Sequence, residues 1–104
     1  MRENHALFYI KAIDLYKEKG VPQKHVDQVI AIAVKELSIL KADDLCKYHV
    51  DLMEKIMECF VEAEEFGKAS VVRDQIKSAL AVFESRDEYL KLLNGVKNKK
   101  DKDE

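Results

Sequence analysis

The chain is poor in residues that break helices. Its 104 residues include three Gly, one Pro and no Trp. So few turn formers exclude an all-β sandwich, whose many connections require them. They also exclude a Gly-rich phosphate loop, a collagen repeat and a flexible linker. Excess charge of one sign is lacking too: 18 Lys and Arg face 20 Asp and Glu, for a formal net charge of −2. A strongly basic nucleic-acid binder is not expected from that balance. No apolar stretch is long enough to span a bilayer. The N-terminal apolar residues are broken by Lys11, Asp14 and Lys17, unlike the continuous core of a secretory signal. The cytosol is the expected compartment.

There are two cysteines, Cys46 and Cys59. Both read as part of one helix, so at about 1.5 Å rise per residue they stand roughly 20 Å apart. A disulfide needs Cα atoms within about 7 Å, which rules out a bridge inside the chain. Free thiols fit a reducing compartment.

Hydrophobic residues make up 47% of the chain and charged ones 37%, enough for one soluble, all-helical domain. Leu7, Ile10, Ile13 and Tyr16 recur at helical spacing from 4 to 19. Gly20-Val21-Pro22 is a tight connection, with Gly as a stop and Pro in a first turn. Val26, Val29, Ile30, Ala33, Leu37 and Leu40 make one face of a second helix from about 22 to 40. Within it, residues 29–34 are six apolar residues in a row. A helix apolar all round is central or meets another subunit. A short buried strand is the alternative for this β-branched run.

Ala42-Asp43-Asp44 has the acids expected at a helix start. A third helix follows, with Leu45, Tyr48 or His49, Leu52, Ile56, Cys59 or Phe60, and Ala63 at core spacing. Its other side is acidic, with Asp51, Glu54, Glu58, Glu62 and Glu65. A fourth helix runs from the Phe66-Gly67 turn to about Glu84, with Ala69, Val72, Ile76, Ala79 or Leu80, and Phe83 inward. Ser85-Arg86-Asp87-Glu88 has the capping-box spacing and predicts a short fifth helix, ended by Asn94-Gly95. The expected architecture is all-α: a bundle of four to five antiparallel helices over 1–95, then a disordered mixed-charge tail over 96–104. No internal repeat stands out.

Catalytic chemistry finds little footing. Cys46 and His49 share a helical face at metal-ligand spacing, but no second Cys/His pair completes a site, so no metal and no cofactor are expected. Ser38, Ser70, Ser78 and Ser85 lack a nucleophile-elbow context. The acidic stripe reads as a solvated face, and Lys97, Lys99, Lys100 and Lys102 are nearly cancelled by Asp101, Asp103 and Glu104. No enzyme activity and no direct nucleic-acid binding are expected.

One segment carries a pattern. In Glu64-Glu65-Phe66-Gly67-Lys68-Ala69-Ser70-Val71-Val72-Arg73-Asp74-Gln75-Ile76-Lys77, an acid, an aromatic, Ala, Arg-Asp and Ile fall at Glu65, Phe66, Ala69, Arg73, Asp74 and Ile76. Spacing alone predicts that Phe66 plugs the gap between two helix ends and that Ala69 lets the helices approach. It places Arg73 within reach of the preceding helix's acids and Asp74 beside Lys77. The segment resembles the UVR motif, the helical hairpin of bacterial excision-repair subunits and some protease-regulating adaptors. Gly67 and Ser70 depart from that pattern, and the aromatic-x-x-Ala half also occurs in tetratricopeptide hairpins. The resemblance implies protein–protein contact, often with a second copy of the hairpin, through Phe66, Ala69, Val72, Arg73 and Ile76. The function expected is a non-enzymatic helical interaction module or adaptor with a protein partner or a second copy. The alternative is an accessory factor acting on a nucleic-acid-processing enzyme.

Overall fold

In a computed structural model the chain forms four α-helices: α1 (Glu3–Glu18), α2 (Gln23–Ser38), α3 (Lys47–Glu62) and α4 (Phe66–Lys102). A short 3₁₀ turn, Ala42–Asp44, lies between α2 and α3. The structure describes the backbone of residues 1–102 and the side chains of residues 1–87. The all-α expectation holds, and among the described residues there is no strand. Residues 29–34, with a strand as their alternative, are helical.

The helices pair as two hairpins, α1–α2 and α3–α4, each closed by the same device. At the end of α1, Gly20 N–H donates to Lys17 O (3.2 Å) and Val21 N–H to Tyr16 O (2.9 Å). At the end of α3, Glu64 N–H donates to Val61 O (3.0 Å) and Glu65 N–H to Phe60 O (2.8 Å). Both are Schellman motifs, which bring the residue after the cap into the left-handed region. Gly20 takes φ +65° freely, whereas Glu64 takes φ 60° against its Cβ. The backbone thus repeats a hairpin whose repetition the side chains conceal.

The hairpins stack in register. Lys17 Nζ pairs with Glu62 at 2.9 Å, Lys55 Nζ pairs with Asp14 at 2.8 Å, and the N-terminal residue contacts His49. Contacts that rise together along both chains make α1 and α3 parallel. It follows that α2 and α4 are parallel as well, while consecutive helices are antiparallel. The Lys55 ammonium is held above its ordinary value by the Asp14 hydrogen bond, against the opposing pull of burial. Such exposed pairs contribute only about 0–1 kcal/mol each, so they orient more than they stabilise. Between α1 and α2, Tyr9 donates to Glu36 at 2.9 Å.

The core centres on α3, which packs against both α1 and α4. Leu52 and Ile56 from α3 and Ile13 from α1 are fully enclosed. Burying side chains of this size contributes roughly 1.5–3 kcal/mol each. The sequence marked α2 as a central helix or one that meets another subunit, and it is not central. Instead α2 buries only Val26, Ile30, Ala33 and Leu37 and leaves Ile32 open. Its six-residue apolar run exceeds what its two neighbours cover.

Two starts and stops also differ. Asp43 and Asp44 belong to the 3₁₀ turn, and α3 starts three residues later with Cys46 as N-cap. There the His49 ring accepts the Cys46 N–H through Nδ1 (3.0 Å), taking the place of the Glu or Gln at the third helical position of a capping box. The fifth helix is absent as a separate element, because α4 continues through Ser85 without a break. Neither Gly nor Pro intervenes there, so nothing interrupts the hydrogen-bond ladder. The helix also runs past Asn94-Gly95 to Lys102, so the stop expected there does not appear; the side chains of the tail expected over 96–104 lie outside the described residues.

Arg86, within that misread box, has a different role. Its Nη1 donates to Leu45 O at 2.9 Å and its Nη2 donates to Ala42 O, fastening α4 to the 3₁₀ turn. The guanidinium also lies over the Phe83 ring, 5.5 Å from its centroid. The Ala42 carbonyl also accepts the Leu45 N–H of the 3₁₀ turn at 3.4 Å.

The unequal Schellman positions predict opposite responses. Glu64→Gly is expected to stabilise the protein by about 0.5–1 kcal/mol, and Gly20→Ala to destabilise it by about 1 kcal/mol, in urea unfolding followed by circular dichroism. In the same assay Arg86→Ala should cost about 1–2 kcal/mol, and Arg86→Lys should not restore it, because one ammonium lacks the planar fork.

Candidate functional site

The five residues singled out in the α3–α4 hairpin do not form one surface. Ala69, Val72 and Ile76 are buried in the core. Their spacing of three and four keeps them on the α4 face that meets α3. Phe66 is not a plug: at 62% exposed it projects from the first turn of α4. The Schellman motif already closes the turn, so no side chain is needed between the helix ends. Arg73 is exposed and stays on its own helix, donating to Ser70 Oγ at 3.2 Å and standing 3.6 Å from Asp74. It does not reach the acids of α3, and Asp74 pairs with Arg73 rather than with Lys77. Phe66, Arg73 and exposed Leu80 share one stripe at intervals of seven.

The opposite side of α4 bears an apolar concavity. α2 and α4 stand apart, and between them runs an open groove of about 560 Å³. Its walls include Ala31 and Val34 from α2 and Val71 and Gln75 from α4, with Phe60 of α3 at its floor. A second hollow of about 430 Å³ continues it, sharing Val71 and Gln75 and reaching Leu40 and Ser78. From Asp27 to Leu40 the α2 wall is roughly 20 Å long at about 1.5 Å per residue. At one end the Lys68 ammonium lies 5.8 Å from the Phe60 ring centroid and is tied to Glu65 at 3.1 Å. Val71, 60% exposed, is the most open apolar group in the walls. Sequence periodicity passed over this groove because Val71 and Val34 fall beside the core stripe. The signal available was the surplus: apolar residues beyond the width of one stripe.

The buried groups capable of chemistry are committed to structure, while His5 and His25 are exposed. His49 is buried, accepting the Cys46 N–H at Nδ1, so its Nε2 carries the proton and donates to Met1 O at 2.8 Å. Both ring nitrogens are thus in use, and metal binding would break one of these bonds. Among the described residues, no group of three or more His, Cys, Asp and Glu is placed to hold a metal ion. Both cysteines are free thiols. Burial pushes the Cys59 thiol above its ordinary value, with Lys17 opposing in part. That suppresses the thiolate needed for nucleophilic attack. Burial also raises the Tyr9 hydroxyl, helped by its bond to Glu36. No described helix is long and apolar enough to cross a membrane.

The split between buried and exposed motif residues is measurable. Ile76→Ala is expected to cost about 2–4 kcal/mol in urea unfolding, as an Ile deleted from a packed core. Arg73→Ala should stay within about 0.5 kcal/mol of the parent.

No protein-family model, no curated protein and no solved structure matches the chain.

Proposed function

We propose that this protein is a non-enzymatic interaction module that receives an apolar helix of a protein partner, foreign or a second copy, in the α2–α4 groove. One observation carries the reading: a long apolar groove, open to solvent, between two parallel helices that a third helix holds apart. Its length of roughly 20 Å fits about four turns of helix, the span over which i, i+3, i+4 and i+7 anchors repeat. Phe60 lies at its floor and Ala31, Val34 and Val71 in its walls, so a partner's side chains meet apolar surface without displacing the core. The rim residues Asp27, Glu65, Lys68 and Asp74 lie at the edges, where charge selects a partner more than it adds affinity. In the adaptor role suggested by the hairpin pattern, binding would use the groove side of α4 rather than the buried Ala69, Val72 and Ile76.

Val71→Glu tests this directly. It places a charge in the groove without touching the core, so thermal stability should remain near that of the parent. Partners retained after nuclease treatment by the parent protein should be lost from V71E, and a purified partner should bind at least tenfold more weakly in calorimetry. Sedimentation of the isolated protein gives the same readout if the partner is a second copy. Retention by V71E together with loss by Phe66→Ser would move the site to the outer stripe of α4 and overturn the groove.

A further inference from the structure

A second apolar surface lies on the far side of the α1–α2 hairpin, away from both the core and the groove. On α1, Phe8 and Leu15 are 66% and 46% exposed. On α2, Ile32 and Ile39 are 54% and 76% exposed. Each pair is seven residues apart and so lies on one stripe of its helix. Each stripe carries a lysine at its centre, Lys11 and Lys35, three residues after the first apolar group and four before the second. The Tyr9–Glu36 hydrogen bond sets the antiparallel register between the helices. In that register Phe8 lies level with the Ile39 end of α2, Leu15 with the Ile32 end, and Lys11 with Lys35. The face is therefore apolar at both ends and doubly cationic across its middle. Both lysines are exposed, and among the described residues neither enters an ion pair. The nearby Glu36 carboxylate is already engaged by Tyr9.

The central lysines decide what this face can meet. A second copy docked on it about a two-fold axis would bring Lys11 and Lys35 against their own equivalents, with like charges near the axis. A lipid surface takes an amphipathic face with lysines at the edges, where they snorkel to the headgroups. Here, inserting Phe8 and Ile39 would draw the lysines between them toward the acyl region. The remaining match is a protein surface of inverse pattern. We infer that the α1–α2 outer face binds a helical protein segment carrying Asp or Glu at the centre of an apolar stripe, its carboxylates paired with Lys11 and Lys35. Four large apolar groups supply the contact area, and the two lysines fix register and partner choice. With the groove occupied separately, the module has two faces for two partners.

The test uses the full chain and two synthetic, dye-labelled helical peptides of about 20 residues. Both carry Leu pairs seven apart, with Glu between them in one peptide and Lys in the other. Fluorescence anisotropy should show the Glu peptide binding at least tenfold more tightly than the Lys peptide, with the gap narrowing at high salt. Lys11→Glu/Lys35→Glu should invert the preference, Phe8→Ser should weaken both peptides, and Val71→Glu should change neither. Unchanged melting temperatures establish that the surface variants fold. Equal affinity for the two peptides, or no binding of either, overturns the inference. So does a dimer in light scattering that Phe8→Ser dissolves, which would assign the face to a second copy. Binding to phosphatidylserine vesicles that Phe8→Ser abolishes would assign it to lipid instead. The α2–α4 groove stands or falls separately, on Val71.

Discussion

The burial of α3 between two helices is the constraint on which the rest of the structure depends. A helix packed on one side needs one apolar stripe, but α3 must satisfy α1 and α4 together. It does so with an arc running through Val50, Leu52, Met53, Ile56 and Cys59, all buried. That arc leaves a narrow solvent face for its charges, which explains why the acids from Asp51 to Glu62 are so regularly spaced. It also brings the first turn of α3 inside. An Asp cap there would sit at a partly enclosed helix end, whereas the neutral His49 ring accepts one backbone N–H and donates to Met1 O. Burying a polar group is tolerable when its bonds are complete, and here they are.

The same constraint opens the groove. α3 lies between and below α2 and α4, with Phe60 and Met53 directed at the gap. Along the α2 wall Ala31, Val34 and Ser38 are small or β-branched, and the larger Ile30 and Leu37 are buried against the core. The gap persists because α1 and α4 each satisfy α3 independently, so no element gains by moving inward. Arg86 adds to this by fastening α4 to the 3₁₀ turn instead of to α2.

Helix number, order and hairpin pairing were legible in the sequence because core residues at spacings of three and four dominate each segment. Gly20 and Pro22 marked the first turn for the same reason: their backbone preferences are strong and local. The second turn was located but misassigned. Phe66 looked like its plug, yet the backbone closes that turn through Glu64, a residue with no compositional signature for a left-handed position. Asp43 and Asp44 outweighed Cys46 as a helix start because cysteine rarely caps, and the His49 ring that makes it work is visible only in three dimensions. Ser85-Arg86-Asp87-Glu88 had the spacing of a cap without a break before it, so the helix ran through. Burial rank failed for α2 because hydrophobicity records what a helix could cover, while its neighbours decide what is covered.

That difference bears on function. A domain of this size exposes scattered apolar residues as a matter of course, and single ones carry no meaning. Order is what separates a surface from scatter. Val71 and Val34 face one another across a gap with an aromatic floor, and Phe8, Leu15, Ile32 and Ile39 flank two unpaired lysines in register. Both arrangements stem from apolar residues in excess of one stripe per helix. In a protein whose one buried histidine among the described residues, His49, and buried thiol are tied into its own packing, that excess is a feature the fold itself leaves unused. The α1–α2 and α3–α4 hairpins pack against their own members and through α3, so both surfaces are present in the chain by itself. Preformed surfaces spare the ordering cost that a flexible segment incurs on binding, which suits the proposed interaction role.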